Sequence, residues 1–250
     1  DFSSVQNNGL LHFNFKEKSY PINIDSDPYT KYIKEVLRYL RQQRSASYES
    51  IDREPGHFRD SSATLYTQVG EKKEWRETAS KVDVSGGWYD AGDYLKFSLT
   101  NAYTCYQLLR AYEENPQIFN YKTYSKSHLN DLLDEVKFGL NFLEKCYVND
   151  STFVFQVGDN RDHELGNRLP VNDTNPYRYA YTSLSRSQMA FASASFAVAS
   201  RVFSSVDSMQ ARIYLQKSEK LFEMSRKHKG VYWFEKNHEV FYADKSPFDN

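Results

Sequence analysis

Cysteine is scarce in this chain of 250 residues: Cys105 and Cys146 are the only two. That excludes a disulfide-rich scaffold, and the two show no metal-binding cysteine pattern. Both fall in segments of helical spacing among apolar neighbours. Free buried thiols are the first expectation, and a disulfide between two helices is the alternative. An excess of one charge is also lacking, with 32 Lys and Arg against 33 Asp and Glu. The balance removes the electrostatic case for a nucleic-acid or membrane-surface partner. No run of about 18 apolar residues occurs, so no helical membrane span is expected. No signal peptide is visible, and the chain starts at Asp1 rather than Met, as in a mature form or an excised piece. Asn149-Asp150-Ser151 and Asn172-Asp173-Thr174 match the N-glycosylation sequon, a pattern that chance supplies often.

Glycine is also sparse, at 10 residues, yet three of the ten gather at Gly86, Gly87 and Gly92. They belong to the string Ser85-Gly86-Gly87-Trp88-Tyr89-Asp90-Ala91-Gly92-Asp93-Tyr94-Leu95-Lys96-Phe97. Glycines allow a tight turn and close approach to a ligand. Asp90 and Asp93 stand three apart on that turn. Paired carboxylates can position and deprotonate one water, the work of a general base in hydrolysis. Trp88, Tyr89, Tyr94 and Phe97 flank them, and aromatic faces suit the apolar face of a sugar ring. Asp and Gly are also ordinary turn residues, so a bare pair of acids at this spacing carries little weight. The chain holds 20 Tyr, 17 Phe and 3 Trp. A tyrosine-rich core and a sugar-binding cleft both fit that composition.

Residues 9–24 alternate, with Leu11, Phe13 and Phe15 in one run and Tyr20, Ile22 and Ile24 in another. This predicts a β-hairpin or two strands. Asp27-Pro28 then marks a helix start, and Ile33, Val36, Leu37 and Leu40 recur at helical spacing through about Gln43. Residues 44–84 read as a long polar loop. Helices are predicted over 100–114, 127–147, 187–203 and 207–228. Residues 148–184 read as loop with short extended pieces, and 231–242 as holding a short strand. Strands do not alternate with helices, which argues against a Rossmann or TIM-barrel arrangement. The pattern is mostly α, a bundle or toroid with long loops.

The string at 85–97 closely resembles the catalytic-base segment of glycoside hydrolase family 9, the inverting cellulases and related β-glucan hydrolases. Leu132–Leu140 looks like the helix that follows it in that family. Gln156-Val157-Gly158-Asp159-Asn160-Arg161-Asp162-His163 resembles the family's V-G-D…D-H loop, and the helix 187–203 its small-residue helix. Arg168-Leu169-Pro170 stands where the family carries R-P-E, and Glu164 and Leu165 where many members have an aromatic. The likeness covers about residues 20–250. It implies an (α/α)6 barrel, here the N-terminal part of the catalytic domain over 25–250. The β segment 1–24 would be the end of an immunoglobulin-like module.

The resemblance implies Asp93 as general base and Asp90 as its partner in holding the water. It implies sugar contacts from His163, Trp88, Tyr89 and Tyr242. The chemistry requires no cofactor. A structural calcium is implied near Ser246 and Asp249, in a loop that is shortened here. Gly56 replaces the Cys of a family P-C-H step, so a zinc site built on that Cys is not expected. The implied partner is a β-glucan polysaccharide or oligosaccharide, and the implied location is extracellular, periplasmic or cell-surface.

An inverting glycosidase also needs an acid on the other side of the scissile bond, about 6.5–9.5 Å from the base. The family's acid is a Glu near the end of the catalytic domain, which has no counterpart before Asn250. The expectation is a fragment of a longer protein, with a second polypeptide or a degenerate half-barrel as alternatives. The expected activity is hydrolysis of β-1,4-glucosidic bonds with inversion. An exo-acting glucosidase or glucosaminidase and a non-catalytic carbohydrate-binding protein are the alternatives.

Overall fold

A computed structural model describes residues 9–25, 29–52, 54–69, 74–173, 175 and 177–228. Asp27-Pro28, Thr174, the expected strand at 231–242, Tyr242, Ser246 and Asp249 lie outside the described residues.

The alternation near the start becomes a two-stranded antiparallel hairpin, β1 (Gly9–Phe15) and β2 (Lys18–Ile24). Lys16, at φ 54°, takes the left-handed conformation that its two-residue turn needs. Five helices of more than three turns follow the predicted pattern: α1 (Thr30–Gln42), α2 (Ser98–Glu114), α3 (Asp131–Cys146), α5 (Arg186–Phe203) and α6 (Ser208–Lys227). Between α3 and α5 lies the short helix α4 (Asn160–Glu164).

Local chemistry sets the helix ends. The Asn130 side chain accepts from the Leu133 amide at 2.9 Å, and Asp207 accepts from Gln210 at 3.0 Å. α2 stops at Asn115, immediately before Pro116. Along α3, Leu132, Leu133, Val136, Leu140 and Leu143 are buried, forming the apolar face that their spacing predicts. Each such side chain stabilises the fold by roughly 1.5–3 kcal/mol. The small residues of α5 let α6 approach closely. Ser193 Oγ donates to the Ser218 carbonyl at 2.8 Å, and Ser218 Oγ to the Ser193 carbonyl at 2.9 Å.

The predicted loop at 44–84 is corrected in one respect. It contains β3 (Ala63–Val69) and β4 (Glu74–Val82), an antiparallel pair. These join β5 (Lys96–Phe97), β6 (Tyr147–Asn149), β7 (Thr152–Val157) and β8 (Tyr179–Thr182) in a six-stranded sheet beside the helices. Its main order is β4-β3-β8-β7-β5, with β6 paired to β7. β3 and β8 run parallel, and β5 and β7 antiparallel. The helical architecture stands, with a small mixed sheet built from the long connections.

Candidate active site

Strand pairing brings the two informative loops together. Lys96 pairs with Val157 and Phe97 with Gln156. The chain before β5 and the chain after β7 therefore leave the sheet at the same end. The first carries the turn Asp90–Leu95, closed by the Asp90 amide donating to the Leu95 carbonyl at 2.8 Å. The second leads into α4. Gly158 turns it at φ 88°, and Asp159 and Asp162 form a reciprocal capping box. His163 Nδ1 then lies 2.8 Å from Asp93 Oδ2. The Asp93 side chain is 14% exposed and His163 50%. Asp93 Oδ1 is buried and hydrogen-bonds to no group among the described residues. One carboxylate oxygen is thus oriented by an imidazole, and the other keeps its lone pairs.

Close packing holds the turn in place. A Cβ at Gly92 would sit 2.7 Å from Asn167 Oδ1, and one at Gly87 would sit 2.6 Å from the Phe142 ring. Tyr94 has φ 64°. Its ring stacks under the Arg168 guanidinium at 4.7 Å, and its hydroxyl donates to the Arg168 carbonyl. Gly87 and Tyr89 dock on the end of α1: the Ser45 amide donates to Gly87 at 2.9 Å and the Tyr89 amide to Gln43 at 2.8 Å.

Beneath the turn runs a chain of buried charges that the sequence did not reveal. Lys96 Nζ lies 2.7 Å from Asp60 Oδ2 and donates to the carbonyls of Val84 and Gly86. Arg178 donates to Asp60 at 2.6 Å, to Asp162 at 3.2 Å and to the Tyr94 carbonyl at 3.2 Å. Arg168 donates to Asp162 at 3.0 Å and to Asp173 at 2.8 Å. Burial favours the neutral form of Asp60, but the Arg178 and Lys96 charges overcome it and hold that carboxyl well below the usual range. Burial raises Asp162 despite Arg178, and burial lowers Lys96 despite Asp60.

The predicted site residues divide. Asp93 and His163 meet directly. Asp90 lines a small cavity of about 110 Å³ with Tyr39, Gln43 and Thr104, between α1 and α2. Trp88 and Tyr89, expected to hold a sugar, are only 4% and 3% exposed. Trp88 Nε1 donates to Glu135 Oε1 at 2.7 Å, and its ring packs onto Gly139. Tyr89 packs against Tyr94 and His57, and its hydroxyl reaches the Gly56 carbonyl at 3.3 Å. Both residues pack within the fold around the turn, and both also line the cavity beside Asp90. Their burial follows from partners distant in sequence, which aromatic character alone does not disclose.

Among the described residues no group of three or more His, Cys, Asp or Glu is arranged to hold a metal ion. The Gly56 position has no room for a cysteine, because a Cβ there would lie 2.4 Å from Pro170 Cβ. His57 instead faces Asp173, at 3.2 Å. The two cysteines are free and buried, as first expected.

The profile of "Glycosyl hydrolase family 9" matches residues 29–250. "Endoglucanase 16" of Arabidopsis thaliana is 34% identical over 160 residues, covering 60% of this chain and 31% of that protein. "Endoglucanase 3" of Oryza sativa subsp. japonica is 32% identical over 155 residues, covering 61% and 30%. The chain thus spans about three tenths of the length of these relatives. Among solved structures, GH family 9 endoglucanase J30 superposes with a TM-score of 0.71 at 22% identity, over 95% of this chain and 45% of that one. AaCel9A, in complex with cellobiose-like isofagomine, gives 0.70 at 18% identity, over 91% and 43%. These likenesses place the helices as part of an (α/α)6 barrel. With the profile match over most of its length, the chain belongs to glycosyl hydrolase family 9.

Proposed function

We propose that this chain carries the water-activating half of an enzyme that hydrolyses β-1,4-glucosidic bonds of cellulose or a related β-glucan with inversion. The observation that carries the reading is the Asp93–His163 contact of 2.8 Å on a tight turn, with the other Asp93 oxygen unpartnered among the described residues. Family membership and relatives called endoglucanases support the substrate class.

Asp93 takes a proton from water as that water attacks the anomeric carbon. Asp90 helps to hold the water, and His163 orients the Asp93 carboxylate. The C–O bond to the leaving sugar breaks as a general acid, a Glu outside this sequence, protonates the departing oxygen. No cofactor enters these steps. The calcium implied near Ser246 and Asp249 concerns residues outside those described. By the same resemblance, the protein works outside the cytoplasm, where polymeric glucan is met.

The test uses the full-length protein. Asp93→Ala is expected to lower kcat on a soluble β-1,4-glucan by about 10²–10⁴-fold or more while glucan binding persists. Proton NMR of the first product should show the inverted anomer. A retained anomer overturns inversion, and an unchanged rate in Asp93→Ala overturns the base assignment.

A further inference from the structure

The short helix α4 has two faces with different neighbours. At about 100° per residue, Asn160, Arg161 and Glu164 share one side of the turn, and Asp162 and His163 the other. Asp162 and His163 face Arg178 and Asp93. Asn160, Arg161 and Glu164 instead line a separate cavity of about 370 Å³ together with Tyr66, Tyr179 and Tyr181. The tyrosines come from the neighbouring strands β3 and β8. Tyr179 and Tyr181 share one face of β8, opposite Arg178 and Ala180.

The chemistry of this cavity suits an uncharged polyol ring. The half-buried Tyr66 and Tyr179 rings lie 4.8 Å apart and form an aromatic floor, and the buried Tyr181 ring packs 5.2 Å from Tyr66 behind them. Trp75 and Phe155 back that floor at 5.3 Å and 6.5 Å from Tyr181. Arg161 lies over Tyr177 and Tyr179 at 4.9 and 5.0 Å, and Asp159 neutralises it at 2.5 Å. Its side chain remains 43% exposed. The rim therefore offers guanidinium, amide and carboxylate groups to hydroxyls, with no strong net charge. The volume falls in the usual range for a small-ligand site.

We propose that this cavity is a second carbohydrate-binding site, which holds one or two sugar residues of a β-glucan chain on the side of α4 away from Asp93. It rests on the glucan-hydrolase reading only for the identity of the sugar. Because α4 is a single turn, one short helix separates this cavity from the Asp93–His163 pair.

The test uses the full-length protein carrying Asp93→Asn, so that binding is read without hydrolysis. Titration with cellohexaose, followed by NMR, is expected to shift the amide signals of Tyr66 and Tyr179–Tyr181. Arg161→Gln, at an exposed position, should weaken this binding about tenfold, and Tyr179→Ala by as much or more. Circular dichroism melting checks that both variants are folded. Unmoved Tyr66 and Tyr179–Tyr181 signals, or an unchanged dissociation constant in folded Arg161→Gln, overturns the proposal. Failure of the unsubstituted protein to hydrolyse glucan counts against the catalytic reading instead, and leaves the binding result to stand on its own.

Discussion

Arg178 donates a hydrogen bond to the backbone carbonyl of Tyr94 at 3.2 Å. Tyr94 directly follows Asp93 in the chain. The same guanidinium reaches Asp162, which directly precedes His163. One buried cation thus holds the neighbours of both members of the Asp93–His163 pair. Arg178→Met would take one of two cations from each of the buried carboxylates Asp60 and Asp162, leaving them Lys96 and Arg168, and would leave the Tyr94 carbonyl without its donor. The expected cost is about 3–5 kcal/mol of stability, measured by denaturant unfolding. Arg178→Lys keeps the charge but not the fork geometry, and should recover only part of the loss.

Trp88 separates a supporting role from a sugar-contacting one. Trp88→Phe removes the indole donor that Glu135 Oε1 accepts at 2.7 Å. Stability should fall by about 1–3 kcal/mol, because a buried carboxylate oxygen loses a partner. KM for a β-glucan should stay near its original value in the folded fraction. A large rise in KM with unchanged melting would show that the ring touches sugar.

The acid limb of stability has a defined sign. Burial, helped by the Arg178 charge, pushes the His57 imidazole down to about 3 from an ordinary 6.5. The unfolded chain therefore takes up a proton between those values that the folded chain refuses. Stability is lost as pH falls from about 6.5 towards 3. Asp60, held below the usual carboxylate range, adds a further loss below about pH 4. Asp162 is shifted upward and works in the opposite direction. Melting temperatures measured at intervals from pH 7 to pH 4 should decline, and His57→Gln should flatten the decline above about pH 4.5.

The cysteines should be silent in the native state. Burial pushes the Cys146 thiol up to about 12, and Cys105 is raised further. Thiolate is the reactive form, so a thiol reagent at pH 8 should label neither residue until the chain is unfolded. Rapid native labelling of either would contradict the burial described.

Gly139 is a packing position. A Cβ there would meet the Trp88 ring at 2.2 Å and Cys105 Sγ at 2.6 Å. A buried indole tied to Glu135 has little freedom to move aside. Gly139→Ala should destabilise the protein by about 1–3 kcal/mol despite its better helix propensity, as read from thermal melts.

Legibility followed distance along the chain. Asp93 could be read because its turn is written in one contiguous string, and His163 because a second string carries it. The helices could be read because each buries one regularly spaced face. β4 could not, since Arg76, Glu77 and Lys81 make it look like a polar loop. It is the outer strand of its sheet, where such residues meet solvent and discourage further pairing. The buried charges were illegible for a different reason: Arg178 and Asp60 are 118 residues apart. Trp88 could be read as either a sugar platform or a core ring, and the partner that accounts for its burial, Glu135, lies 47 residues away.

The parallel pairing of β3 with β8, at Thr64 opposite Tyr179, has a consequence for the order of assembly. Contacts between such remote segments form late, because the intervening chain must first be gathered in. During synthesis Asp93 emerges well before Arg178 and β8. The turn that carries Asp93 is therefore made early and clamped only after β8 arrives. A nascent chain paused before residue 178 would lack the guanidinium that joins Asp60 to Asp162, leaving Lys96 and Arg168 as their only cations among the groups described. Its proteolytic resistance around residues 85–97 should rise sharply once that strand leaves the ribosome.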